Sequence, residues 1–361
     1  MKIMHVVGNR PQFIKLAPVS RELHKRNINE IIIHTGQHYD ENMSDIFFEE
    51  LGIPLPGENL YIGSASHAQM TAKAMVGLEK AMVKYKPSCV LVYGDTNSTL
   101  AAALVASKLL IPLVHIEAGP RTHNSNNPEE CNRIVVDHLS NYLCAPDKES
   151  EKNLINEGIC PGKIFFTGDV MYDEFLYCAS RNYDGYLNQF PKEFVLLTWH
   201  RQENTSDKKR MEHIISFLEQ INYPVVFPVH PRTRKMLEQF GLMERVENID
   251  KIQIINPIGY KEMVILLNNC KILVSDSGGA SKEAAFCGKK CLYMLDLVIW
   301  PKLLECGFIQ NIDFDNKDSI KANLSLINNN SYGQDKLDVA QIFGDGHAAE
   351  KIVGIIEEYI N

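Results

Sequence analysis

The apolar residues of this chain come in short unbroken runs, and polar residues gather where each run ends. "KIMHVVG", "EIIIHTG", "CVLVYGD" and "PLVHIEAG" are such runs in the first half, and "EFVLLTWH", "PVVFPVH", "IQIINPI", "KILVSDSGG" and "KKCLYML" in the second. A strand with one wet face alternates polar and apolar residues, whereas one that is apolar throughout is buried on both faces. Longer segments of helical period separate the runs, among them "KLAPVSRELHKR", "HAQMTAKAMVGLEKAMVKY", "STLAAALVASKLL", "KKRMEHIISFLEQI" and "SKEAAFCG". Strands alternating with helices in this way form a parallel sheet covered on both faces, an α/β fold.

At 361 residues the chain is too long for one ordinary core. The repeated rhythm predicts two doubly wound, Rossmann-like domains, residues 1–168 and 169–345, joined near "FFTGDVMYD". A last helix in 346–361, "HAAEKIVGIIEEYI", is expected to pack back on the first domain. A net charge of −8 with no basic stripe argues against nucleic acid as a partner. The longest apolar stretch, "TLAAALVASKLLIPLVHI", is broken by Ser107, Lys108 and Pro112, so no membrane span is expected. "MKIMHVVGNRP" reads as a first strand rather than a secretion signal, which predicts a cytoplasmic protein. Nine scattered cysteines, with only Cys287 and Cys291 close together, predict reduced, mostly buried thiols and no metal site.

In open α/β sheets the ligand crevice lies at the carboxyl ends of the strands. Asn9, Arg10, Gln37, His38, Asp95, Thr96, Glu117, His200, Arg201, His230, Arg232, Asp276 and Ser277 each follow an apolar run by a residue or two. If both domains supply such an edge, the expected site is the cleft between them. In "SDSGGASKEAAFCG" a strand gives way to a Gly pair and a helix start. Ser277, Gly278 and Gly279 would there offer free backbone N–H groups to a phosphate, although a plain strand-to-helix turn with a Ser cap fits the fragment equally well. Glu283, one turn on, could accept from ribose hydroxyls. Arg10 beside Pro11 could clamp a phosphate. No G-x-G-x-x-G occurs, so a nicotinamide cofactor is not indicated, and no cofactor is expected.

"TWHRQEN" and "PVHPRTRK" place His200, Arg201 and His230, Arg232 after successive strands, the basic pocket a diphosphate would need even in an acidic chain. Asp95 and Glu117 end two strands of the first half, and Glu129 and Glu130 follow with Arg121 and Arg133. Carboxylates crowded in one cleft shift one another's pKa values, which separates acid from base roles.

"GNRPQFIKLAP", "HTGQHYDENMSDIFF", "YGDTNSTLAA", "HIEAGPRT", "PEECNR", "TGDVMYD", "WHRQEN", "PVHPRTRK", "SDSGG" and "GDG" occur in an order and spacing that resembles the non-hydrolysing UDP-N-acetylglucosamine 2-epimerases over essentially the whole chain. The resemblance implies a glycosyltransferase-B fold of two Rossmann-like domains, a homodimer, and UDP and a UDP-sugar as ligands. It implies C2 epimerisation of a nucleotide-linked N-acetylhexosamine for surface polysaccharides, by loss of UDP to a 2-acetamidoglucal and re-addition. Carried over by motif, Asp95, Glu117, Glu129 and His200 are the catalytic set, with Glu117 as base. Arg10, Gln37, His38, Arg133, Arg201, His230, Ser277, Gly278, Gly279 and Glu283 are the substrate and UDP contacts.

Two stretches depart from the family. Where Arg-Asp-Thr-Thr-Glu-Arg-Pro-Glu is usual, this chain has "LDLVIWPK", with apolar Leu297, Val298 and Ile299. "HYDENMSDIFF" lacks the pattern of the enzymes regulated by UDP-N-acetylglucosamine, so no such activation is expected. With "PVHPRTRK" it looks more like the branch acting on modified sugars such as UDP-2,3-diacetamido-2,3-dideoxyglucuronate. A hydrolysing epimerase, a glycosyltransferase of the same fold and a non-catalytic nucleotide-sugar binder are the competing readings.

Overall fold

The computed structural model describes residues 1–36, 48–124, 126–181, 185–296, 300–329 and 339–360. Gln37 and His38, most of "HYDENMSDIFF", and Leu297, Val298 and Ile299 lie outside the described residues. The chain divides into two compact units, Met1–Leu176 with Asp338–Asn361, and Tyr177–Leu337.

In the first unit the described strands are β1 (Lys2–Val7), β2 (Asn29–His34), β3 (Glu58–Asn59), β4 (Cys89–Tyr93), β5 (Leu113–Ile116), β6 (Tyr142–Ala145) and β7 (Ile164–Phe166). They form one sheet in the order β3-β2-β1-β4-β5-β6-β7, with every pairing parallel. The second unit holds β8 (Val195–Thr198), β9 (Val225–Pro228), β10 (Ile252–Ile255), β11 (Ile272–Ser275), β12 (Cys291–Tyr293) and β13 (Ile309–Asn311). Their order is β10-β9-β8-β11-β12-β13, again parallel. The apolar runs of the sequence thus appear as interior strands, except "IQIINPI", which forms β10 at the edge of the second sheet and is only half-buried. β6, β7 and β13, only three or four residues each, had no run long enough to stand out.

The helices begin where the sequence supplies a cap. Asn9, Ser66, Thr96, Asn127 and Ser277 start α1 (Arg10–Lys25), α2 (His67–Tyr85), α3 (Asn97–Lys108), α4 (Pro128–Leu139) and α5 (Gly278–Phe286). In each case the cap side chain accepts from a backbone N–H of the first turn, one of the donors a helix leaves unpaired. Met4, Val6, Val90 and Val92 on one face of the first sheet bury against Leu78, Met82, Ala102 and Val105 of α2 and α3. The terminal helix α6 (Ala348–Tyr359) belongs to this unit and packs against α1, where Arg26 ion-pairs with Glu357. Among the described residues no helix is long and apolar enough to cross a membrane.

The return of the chain to the first unit is held at a close backbone crossing. Asp169 N–H donates to Phe343 O at 2.8 Å, and Gly168 lies against Gly344. Just beyond, the Asp173 carboxylate accepts from Ala348 N (3.1 Å) and Ala349 N (2.8 Å), capping α6. Burial, with a small push from Asp169, raises the Asp173 carboxyl to about 6 despite those two donors. Gly168 has φ +87°, and an added Cβ would sit 2.8 Å from Phe343 O. Gly168→Ala is therefore expected to destabilise the protein by about 3 kcal/mol, through left-handed strain and the clash together. Calorimetric melting tests this, and a variant that melted with the parent would show that the crossing imposes no constraint.

Candidate active site

Each sheet reverses its winding direction once, and at such a switch point the loops leaving the two adjacent strands part and open a crevice. In the first unit the reversal lies between β1 and β4. Gly8 and Asn9 leave β1 there, and Gly94 and Asp95 leave β4. A Cβ on Gly8 would meet Thr35 Oγ1 at 2.3 Å and Ser98 Oγ at 2.5 Å, so only glycine lets the loop turn here. Gln12, buried in the first turn of α1, ties the loops together. Its Oε1 accepts from Gly8 N (2.7 Å), and its Nε2 donates to Tyr93 O (2.8 Å) and Thr99 Oγ1 (3.0 Å).

Glu117 follows β5 in the left-handed conformation, φ +65°, a strain rare outside glycine. Its Oε1 lies 2.6 Å from Lys15 Nζ, reaching in from α1, and both side chains are buried. Asp95 lies on the neighbouring strand end and accepts from Arg133 Nε (2.8 Å) and Nη2. Asn132 fixes the same loop by donating to Asp95 O at 2.8 Å. Burial works against the charge of Arg133, yet Asp95 and Glu117 hold its pKa above the ordinary value. Among the described residues, Arg133 Nη1 is buried without a hydrogen-bond partner.

The other charges around "HIEAGPRT" are structural. Arg121 forks onto Glu157 and reaches Asp137 (2.7 Å each), and Asp137 also meets His115 Nδ1 at 2.6 Å. Burial would raise the Asp137 pKa, but His115 and Arg121 hold it below its usual range. The two glutamates of "PEECNR" part company. Glu130 is buried and accepts from Thr122 N, Thr122 Oγ1 and His123 N at 2.9–3.0 Å, so it locks the loop. Glu129 stands exposed on the first turn of α4. Arg10, half-buried, opens α1.

In the second unit the reversal lies between β8 and β11. His200 and Arg201 leave β8 there, and Asp276 and Ser277 leave β11. Ser277 Oγ accepts from Ala280 N at 3.2 Å, and Gly278 and Gly279 make the first turn of α5. Gly278 O accepts from Trp300 Nε1 at 3.0 Å, and the buried Lys282 ammonium lies 4.2 Å from the Trp300 ring centre. Glu283 is buried on the same helix. The Asp276 carboxylate is fully buried under the β8 loop, where it accepts from the backbone N–H groups of His200 and Arg201 and lies 3.1 Å from His200 Nδ1. Burial pulls its pKa up, and His200 with these N–H groups pulls it below the ordinary value. The His230 ring is centred 5.4 Å from that of His200, and His230 Nδ1 accepts from Arg232 N at 3.1 Å. Arg201 is exposed.

The structure therefore joins Asp95 with Arg133 in the first unit, and His200, His230, Ser277 and Gly278 around one switch point in the second. Two partners escaped the sequence reading. Lys15 left one sign, a cation between Ile14 and Leu16 on a buried helix face. Asp276 stood among the strand-end residues without a role.

A UDP-N-acetylglucosamine 2-epimerase family model matches residues 21–357. A protein named UDP-N-acetylglucosamine 2-epimerase homolog from Methanococcus maripaludis is 45% identical, over 99% of each chain. The Pseudomonas aeruginosa UDP-2,3-diacetamido-2,3-dideoxy-D-glucuronate 2-epimerase is 44% identical, over 98% of each. The crystal structure of Methanocaldococcus jannaschii UDP-GlcNAc 2-epimerase in complex with UDP-GlcNAc and UDP matches with a TM-score of 0.90 and 39% identity, covering 99% of this chain and 100% of that one. The two doubly wound sheets, their strand-end residues and these matches agree: the chain belongs to the UDP-N-acetylglucosamine 2-epimerase family, a family of isomerases.

Proposed function

We propose that the protein inverts C2 of a UDP-linked N-acetylhexosamine without hydrolysis, through elimination of UDP and re-addition. The observation that carries this reading is the pair of strand-end carboxylates, Glu117 and Asp95, each held against a buried cation. The hydrogen at C2 is not next to a carbonyl, so its direct removal would be slow. As the C1–O bond to UDP breaks, positive character at C1 acidifies that hydrogen. A carboxylate takes the proton, the C1–C2 double bond forms, and a 2-acetamidoglucal remains with UDP. Return of a proton to the other face of C2 and of UDP to C1 gives the epimer.

In this reading Glu117 is the base. The ion pair with Lys15 and the strained backbone fix where its carboxylate points, so little is lost to reorganisation during the reaction. Asp95 and Glu129 are the further acid–base groups, and the unsatisfied Nη1 of Arg133 supplies a donor for the substrate. His200, Arg201, His230, Arg10 and the first turn of α5 hold the departing diphosphate, with Glu283 on the ribose. The same reading takes the working protein as a cytoplasmic homodimer that supplies surface-polysaccharide synthesis.

The Pseudomonas relative, at 44% identity, favours a modified sugar such as the diacetamido-uronate as a second reading of the substrate. Proton NMR in D2O separates the two. Deuterium at C2 of UDP-N-acetylglucosamine, with a manno product still linked to UDP, is the expected outcome. Exchange only with the diacetamido-uronate would select the second reading, and release of free sugar and UDP would overturn the non-hydrolysing mechanism. Glu117→Gln is expected to lower turnover by ~10²–10⁴-fold while UDP still binds. Wild-type turnover would remove Glu117 as the base.

A further inference from the structure

We infer that Asp276 is a positioning residue for His200, fixing a proton on Nδ1 so that the ring exchanges protons with the nucleotide only through Nε2. This rests on the reading of His200 as the group that assists the departing diphosphate. Asp276 Oδ2 accepts from His200 N (3.0 Å), Arg201 N (2.9 Å) and Asn204 Nδ2 (3.3 Å). Oδ1 faces His200 N and His200 Nδ1, each at 3.1 Å. Every other group in this set is a donor, and an ionised carboxylate can only accept, so His200 Nδ1 has to carry the hydrogen.

The location gives that contact its consequence. β8 and β11 are neighbours at the switch point of the second sheet, so a short side chain at the end of β11 reaches the loop leaving β8. The ring is thereby anchored at one nitrogen while 34% of the side chain stays exposed. Neighbouring His230 is set the opposite way, since its Nδ1 accepts from Arg232 N and its hydrogen belongs on Nε2. Two histidines with rings 5.4 Å apart are thus held in different tautomers by different partners.

In the reaction, the bond from C1 to the β-phosphate oxygen breaks and the electron pair stays on that oxygen. His200 Nε2 gives its proton to the oxygen and takes it back when UDP re-adds. Nδ1 keeps its hydrogen throughout, and the Asp276 carboxylate faces the positive ring whenever both nitrogens are protonated.

Asp276→Asn tests this. The three donors at Oδ2 require the amide oxygen there, which turns the NH2 group toward His200 Nδ1 and forces the neutral ring into the Nε2–H tautomer. Nitrogen-15 NMR of the histidine-labelled protein with UDP alone reads the tautomer without any turnover. Expected is a protonated Nδ1 at His200 in the parent and its loss in Asp276→Asn. A parent whose His200 carries its hydrogen on Nε2 alone would overturn the inference, even if Asp276→Asn did not fold. With the substrate that turns over, kcat is expected to fall roughly ten- to a hundredfold while the UDP Kd changes by about twofold or less. In a His200→Gln background the same substitution should lower kcat no further. An equal further loss there, or weakened UDP binding with the tautomer unchanged, would make Asp276 a scaffold of the loop instead. If no UDP-sugar is epimerised, the NMR result still decides the tautomer, so failure of the epimerase reading and failure of this inference are separable.

Discussion

A carboxylate withdrawn from water has to be given donors, and this fold supplies them at the carboxyl ends of its strands. Glu117 meets Lys15, Asp95 meets Arg133, Asp137 meets Arg121 and His115, and Asp276 meets the backbone of the β8 loop. Removing one partner of such a buried pair leaves an uncompensated charge, typically at a cost of about 3–5 kcal/mol. The loops that these pairs tie down in each unit therefore have little freedom to rearrange. That lack of freedom is what acid–base chemistry at a sugar carbon requires, because a proton has to pass over a short distance to a base already in place.

The parallel sheet explains why those charges collect where they do. Every strand points the same way, so every strand-to-helix loop of a unit emerges on one edge. Helix N-termini come out on that edge as well, with their unpaired N–H groups. In the second unit the first turn of α5 offers such groups beside the two histidines, while the fully buried Lys282 and the largely buried Trp300 pack against the same helix. In the first unit acidic groups and their cations dominate the edge instead. The same alternation of strand and helix thus presents histidines and a helix N-terminus at the strand ends of the second unit, and carboxylates with their cations at those of the first.

Much of this could be read from the residues alone. The unbroken apolar runs give the central strands and the edge strand β10, and "HAQMTAKAMVGLEKAMVKY" coincides with α2. The polar residues after each run mark the strand-end edge of each sheet, and the ordered motifs mark the family. Short strands such as β7 were not legible, because three residues, two of them only half-buried, carry no period to detect. Glu129 and Glu130 could not be told apart in the sequence either. Adjacent positions on a helix point about 100° apart, so one faces the "GPRTH" loop and the other faces solvent.

What the sequence determined by itself is local: which segments are strands, where helices begin, and which residue types stand at the strand ends. Alternation, capping and burial act over a few neighbouring residues, so they leave a visible pattern. Only the tertiary structure decided which charge answers which. Lys15 and Glu117 lie 102 residues apart, and the Asp276 carboxylate and the Arg201 backbone N–H that donates to it lie 75 apart. Those partners meet because the sheet reorders its strands, setting β4 beside β1 and β11 beside β8. The pairing follows from strand order, a property of the whole sheet, and no local run of residues records it.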